Sequence, residues 1–180
     1  MKNVVLGISG SIAAYKAADI AFSLRKHGCG VHVMMTENAT KFITPLTMQT
    51  LSGNKVHFGP ISADGGDTAH IDFAKNTDLF LIVPATANLI SKIACGLAGD
   101  MLTTTILALK NTPVLIAPAM NTNMYENPVI RENIEKLKRR GFKIIEPKEA
   151  VLACGDAGKG ALADVDKIVS AALRELKINE

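Results

Sequence analysis

Residues 77–88, TDLFLIVPATAN, decide the fold class. From Leu79 to Ala85 the stretch is apolar without alternation, so a strand built from it must be covered on both faces, as the inner strands of parallel sheets are. The proline at its tip cannot continue a ladder, and the chain is expected to turn outward there. The run TPVLIAPAM, 112–120, has the same form and the same proline tip at Pro118.

Outward from these two, NVVLGIS (3–9), GVHVMMT (30–36) and FKIIEP (142–147) read as further strands, and KVHF (55–58) as a short extended piece. Helical patterns fill the gaps: 10–28, turns over 38–53, 69–76, one or two helices over 87–111 broken near Gly96 and Gly99, 127–141 with a proline near its start, and an amphipathic helix over 162–177. Strands alternating with helices imply an α/β fold, a three-layer, doubly wound parallel sheet of Rossmann or flavodoxin-like type. At 180 residues the chain fits a single domain spanning 1–180, large enough to bury roughly 70% of its unfolded surface. The glycine-rich stretches GPISADGGD (59–67) and LACGDAGKGALAD (152–164) read as mobile, solvent-near segments.

Hydrophobic residues make up 48% of the chain and no Pro/Ser tract or charge block interrupts it, which argues against disorder. The net charge of +3 is dispersed, and the dense basic group Lys136, Lys138, Arg139 and Arg140 falls at a helix end, where cations suit the dipole. Nucleic-acid binding is therefore disfavoured. The apolar runs are too short to span a bilayer and MKN leads straight into strand residues, so a cytoplasmic protein with no membrane attachment is expected. Three cysteines without CxxC spacing argue against both a disulfide framework and a metal site. Cys29 and Cys95 read as small buried hydrophobes, whereas Cys154 sits among glycines and aspartates as an accessible thiol.

Ligands of doubly wound sheets bind beyond the carboxyl ends of the strands. After the first strand, Gly7, Gly10 and Ser11 open a helix whose free amides could receive a phosphate, although a tight strand-to-helix turn would use the same residues. The spacing is not GxGxxG, and no acidic residue closes the second strand, which offers Thr36, Asn38 and Thr40 instead. A phosphorylated mononucleotide therefore fits better than NAD. Thr86 and Asn88 follow the 77–88 strand and Asn121 follows Pro118, so two neighbouring strand tips offer small polar groups to one pocket. His70, at the start of a helix, is either an acid–base group or an exposed helix-end histidine.

Four segments, GSIAAYK (10–16), HIDFAKNTDLFLIVPATAN (70–88), PAMNTNMY (118–125) and ACGDAGKGALAD (153–164), give the chain a resemblance, over nearly its whole length, to the homo-oligomeric flavin-containing cysteine decarboxylases. The resemblance implies FMN held near Gly10, Ser11 and Ile12, near Thr36, Asn38 and Thr40, and near Thr86, Ala87 and Asn88, with Ala119 against the flavin. It makes His70 the active-site histidine, Asn121 the holder of the substrate carboxylate with Met120 and Ala153 beside the substrate, and Cys154 the proton donor. It also implies a homo-oligomer, a trimer or a dodecamer built from trimers, with flavin at the subunit interface.

The implied reaction is decarboxylation of 4′-phosphopantothenoylcysteine to 4′-phosphopantetheine in coenzyme A biosynthesis. Flavin oxidises the thiol to a thioaldehyde, CO2 leaves to give an enethiolate, and reduced flavin returns the hydride. A separate phosphopantothenate–cysteine ligase is then expected in the pathway, since the chain ends at Glu180. Alternatives are a lantibiotic-type decarboxylase of peptides ending in cysteine, against which Cys154 in ACGD counts, and a non-enzymatic flavoprotein regulatory subunit, which would carry an acidic tail. Leu89, where the family pattern has threonine, and Tyr125, where it has tryptophan, leave open how the flavin edge is held.

Overall fold

The computed structural model describes residues 1–59, 69–151, 155 and 157–178. Its centre is the parallel pairing of β1 (Asn3–Ile8) with β2 (Gly30–Met35) on one side and β4 (Leu79–Ala85) on the other. The short β3 (His57–Phe58) extends the sheet beyond β2, and β5 (Val114–Pro118) and β6 (Lys143–Ile144) extend it beyond β4. The resulting order β3-β2-β1-β4-β5-β6 is that of the doubly wound dinucleotide-binding fold. All seven residues of β4 are buried, as its unbroken apolar run requires.

Each face of the sheet has its own apolar layer. Val4, Leu6 and Ile8 face α1 (Lys16–Lys26), α2 (Pro45–Ser52) and α8 (Val165–Leu176). Val5, Phe80, Ile82 and Ile116 face α4 (Ala87–Cys95), α5 (Met101–Ala108) and α7 (Pro128–Arg139), with α3 (Ala69–Asn76) at the margin. Helical periodicity is obeyed: α7 buries Ile130, Ile134 and Leu137 and exposes its charged side. The 87–111 pattern resolves into α4 and α5, with Asp100 opening the second through a capping box with Thr103.

Three expectations need correction. The chain does not turn outward at Pro84: β4 runs on to Ala85, because the pairing with β5 shifts between Ile82 and Ala85 and Pro84, whose peptide is cis, falls inside that irregularity. The segment after Asn121, to which the sequence pattern assigns no element, forms the short α6 (Thr122–Glu126), capped by Asn121. The stretch 152–164 is not all loop: β7 (Lys148–Val151) and β8 (Ala157–Ala161) form an antiparallel hairpin. Two of its glycines serve close approach rather than looseness. A Cβ on Gly160 would lie 2.3 Å from the Met120 carbonyl oxygen, and one on Gly158 would lie 2.6 Å from Thr122 Oγ1. The glycine-rich loop 60–67 lies outside the described residues.

Candidate functional site: a crevice at the carboxyl ends of β1, β4 and β5

At the switch point the tips of β1 and β4 are tied by a buried serine. Ser9, 1% exposed, donates its hydroxyl to the Pro84 carbonyl (2.6 Å) and accepts the Thr86 amide (2.9 Å), while its own amide also reaches Pro84 O (3.2 Å). The next residue, Gly10, allows the first turn to touch the turn after β2, since a Cβ there would lie 2.6 Å from Asn38 Cβ.

Between these turns opens a cavity of about 450 Å³, within the range typical of small-ligand sites. It is lined by Gly10, Ser11, Thr36 and Asn38 from the first two turns, by Thr86, Ala87 and Asn88 from the start of α4, and by Ala119 beyond β5. Three of its hydroxyls are also helix caps: Ser11 accepts from the Ala13 amide (3.3 Å), Thr36 from Ala39 (3.2 Å) and Thr86 from Leu89 (3.3 Å). A capping hydroxyl spends a lone pair and keeps its O–H for a ligand oxygen. At α4 the first-turn amides of Ala87 and Asn88 add donors at the positive end of the helix dipole.

Lining residues not singled out from the sequence include Ser9, Glu37, Lys92 and Asp100. Lys92 stands one helical turn beyond Asn88, and Asp100 precedes a helix three residues before Thr103, so both carried a positional signal. No acidic residue closes β2, but Glu37 lines the cavity from the turn that follows it. Thr40 does not line the cavity; its hydroxyl donates to Glu37 O (2.7 Å).

A second cavity, also about 450 Å³, meets the first at Ser11, Ala119 and Met120. Asn121 and Ile12 line it, with Lys16 from the start of α1 and Val151, Gly160 and Ala161 from the hairpin. Asn121 Oδ1 accepts the Asn123 amide (2.8 Å), so Nδ2 is the end of the amide that can donate to a carboxylate. Met120, on the boundary, is held to the hairpin by its amide, which donates to Gly160 O (3.0 Å).

His70 lines neither cavity. It is half-buried, and among the described residues its Nδ1 has no hydrogen-bond partner, which sets aside the exposed helix-end alternative. Cys154 and Ala153 lie outside the described residues. Cys29 is buried as expected, and burial, then the nearby Asp78 carboxylate, pushes its thiol up. Cys95 is exposed, contrary to expectation, because it is the last residue of α4 and its side chain emerges at the helix end. Leu89 is buried in the core beneath α4, although it reaches the cavity wall. Tyr125 lines neither cavity and is 1% exposed. Burial and a hydrogen bond to Glu146 push its phenol up to about 12. Among the described residues no cluster of histidine, cysteine or carboxylate side chains could hold a metal, and no helix is long and apolar enough to cross a membrane.

A Rossmann-ordered sheet with a hydroxyl- and amide-lined cavity at its switch point defines a mononucleotide-binding α/β protein. The chain belongs to the Flavoprotein family, whose model matches residues 1–177. It is 51% identical over 170 residues to a probable phosphopantothenoylcysteine decarboxylase of Streptococcus mutans, covering 93% of this chain and 95% of that protein. It is 48% identical to the coenzyme A biosynthesis bifunctional protein CoaBC of Borreliella burgdorferi, with 97% of this chain aligned to 44% of that one, so the chain spans less than half of the bifunctional relative. Among solved structures, a cysteine-to-serine mutant of PPC decarboxylase complexed with pantothenoylaminoethenethiol superposes with a TM-score of 0.86 at 29% identity, covering 98% of each chain. The FMN-dependent cysteine decarboxylase SpaF superposes at 0.79 and 30% identity, covering 96% of this chain and 98% of that one.

Proposed function

We propose that the chain binds FMN in the first cavity and decarboxylates 4′-phosphopantothenoylcysteine to 4′-phosphopantetheine, a step of coenzyme A biosynthesis. The observation that carries this is the meeting of the two cavities at Ala119 and Met120, which sets a mononucleotide cradle beside an asparagine that can hold a carboxylate. The cradle suits FMN: its walls are hydroxyls, amides and close-approach glycine, and its small size matches one nucleotide better than two. FMN, when bound, supplies a two-electron acceptor that takes the substrate from thiol to thioaldehyde and later returns the same electron pair.

The protein's share is positioning and proton handling. Ser11, Thr36 and Thr86, with the first amides of α4, hold the phosphate and ribityl hydroxyls, and Ala119 leaves room for the ring. Asn121 donates Nδ2–H to the substrate carboxylate without the positive charge that would stabilise it in the ground state. His70 takes or orients the thiol proton, and Cys154 returns a proton to carbon at the end. Its ordinary pKa of about 8.5 keeps such a thiol protonated near neutrality. We assign the chain a trimer, or a dodecamer built from trimers, with the cofactor at the interface. Support comes from His70, which lines neither cavity of its own chain and would be brought to the site by a second copy. We take residues 1–180 as one flavoprotein domain acting in the cytoplasm.

The test is CO2 release by protein expressed with excess FMN, from phosphopantothenoylcysteine and from a peptide ending in cysteine. A yellow protein preferring the first substrate is expected. Preference for the peptide overturns the substrate, and a colourless protein overturns the cofactor.

A further inference from the structure

One carboxylate outside both cavities gathers three chain segments. Glu146, between β6 and β7, receives the Tyr125 hydroxyl (3.0 Å) and Lys159 Nζ (2.8 Å) on the same Oε2, and Lys138 Nζ lies 3.6 Å from Oε1. Arg131 and Lys159 also stand over the Tyr125 ring, 5.4 and 5.7 Å from its centroid. Tyr125 belongs to α6, four residues beyond Asn121, and Lys159 belongs to β8. The Glu146 carboxylate therefore joins the asparagine turn to the hairpin, and both segments line the second cavity.

We propose that Tyr125 and Glu146 are positioning residues, whose hydrogen bond, completed by Lys159, fixes the hairpin against the Asn121 turn and so holds in place the residues that line the substrate cavity. The inference rests on the proposed decarboxylase function for its kinetic part only. Two further contacts follow the same seam: the Met120 amide on Gly160 O (3.0 Å), and Gly158 facing Thr122. The raised phenol keeps Tyr125 a donor at every working pH. Burial alone would push Glu146 up, but the bonds from Lys159 and Tyr125 bring it net below its ordinary value, so it stays a charged acceptor. Phenylalanine would fill the same volume without the bond, which separates position from packing.

The experiment uses FMN-loaded Tyr125→Phe, Glu146→Gln and, as a variant at a partly exposed side chain, Lys159→Met. Each is expected to raise KM for phosphopantothenoylcysteine about fivefold, with kcat within about twofold and FMN affinity unchanged, the signature of lost uniform binding. Amide exchange at Met120 and Ala157–Ala161 is expected to quicken about tenfold while α4 and α5 keep theirs. A lower melting temperature with KM and exchange at wild-type values overturns the proposal, because it leaves only packing. If the wild-type protein releases no CO2 from this substrate, the functional assignment fails, and the exchange comparison still decides whether the three residues hold the hairpin.

Discussion

Ser9→Ala probes whether the crevice is held by the buried serine or merely by sheet packing. The substitution deletes the hydroxyl that bonds Pro84 O at 2.6 Å and the Thr86 amide at 2.9 Å, at a residue only 1% exposed. Pro84 O keeps the Ser9 amide, so the larger cost is the Thr86 N–H, which loses that acceptor. A buried donor left without a partner costs about 1–3 kcal/mol and the second bond adds about 1 kcal/mol, giving a total near 3 kcal/mol. For a chain of this size that corresponds to a fall in Tm of about 6–12 °C. The assay is thermal unfolding followed by circular dichroism, without added FMN and at matched protein concentration, because ligand and subunit association both shift Tm by mass action. Ser11→Ala is the control: it removes one cap bond of 3.3 Å to Ala13 and is expected to cost about 1 kcal/mol. If Ser9→Ala lies within about 0.5 kcal/mol of wild type, the serine does not hold the strand tips and the reasoning fails.

Gly160→Ala would put a Cβ 2.3 Å from Met120 O, so β8 must move; a loss of about 1–3 kcal/mol and of decarboxylation is expected, read by denaturant unfolding and CO2 release, with FMN still bound. Asn121→Asp keeps an acceptor for the Asn123 amide but sets a negative charge against the substrate carboxylate; KM should rise at least about tenfold with FMN affinity unchanged, measured by kinetics and flavin fluorescence. Burial lowers the pKa of His32, which packs 5.4 Å from the Phe73 ring. The unfolded chain therefore binds the proton first, so the stability His32 contributes is present above its unfolded pKa of about 6.5 and is lost as pH falls through the lower folded value. His32→Phe should flatten the fall in urea stability between about pH 7.5 and pH 5.5; an equally steep fall in the variant would remove His32 from that role.

The sheet was legible because its strands are apolar without alternation, as burial on both faces requires, whereas the order that sets β4 between β1 and β5 is visible only in the assembled sheet. The hairpin was not legible. Glycine at 155, 158 and 160 suggests looseness in a one-dimensional reading, whereas two of these three glycines face Met120 and Thr122 from nearly forty positions earlier in the chain. The same holds for Ser9, whose relation to the cavity exists only once β1 and β4 are assembled, whereas Lys92 and Asp100 carried a positional signal and nothing more. Tyr125 shows the converse limit, since an aromatic four residues beyond Asn121 reads as a neighbour of the flavin edge, whereas it lines neither cavity and is buried and bonded to Glu146.

Ser11, Thr36, Thr86 and Asn121 were chosen from sequence as ligand donors, and each also caps the helix or turn that follows it. The coincidence has a geometric cause. In a doubly wound sheet every strand delivers its chain to a helix start at the edge where ligands bind, so a residue that caps the helix stands on the rim of the crevice. Ser, Thr and Asn suit both tasks, because the oxygen accepts from the helix amide and the same side chain carries an O–H or N–H donor as well. Removal of such a side chain should therefore weaken folding and ligand binding together, whereas a substitution that preserves the cap, as Asn121→Asp does, separates the two. That separation makes Asn121 the position at which the carboxylate-holding role can be tested without disturbing the turn that presents it.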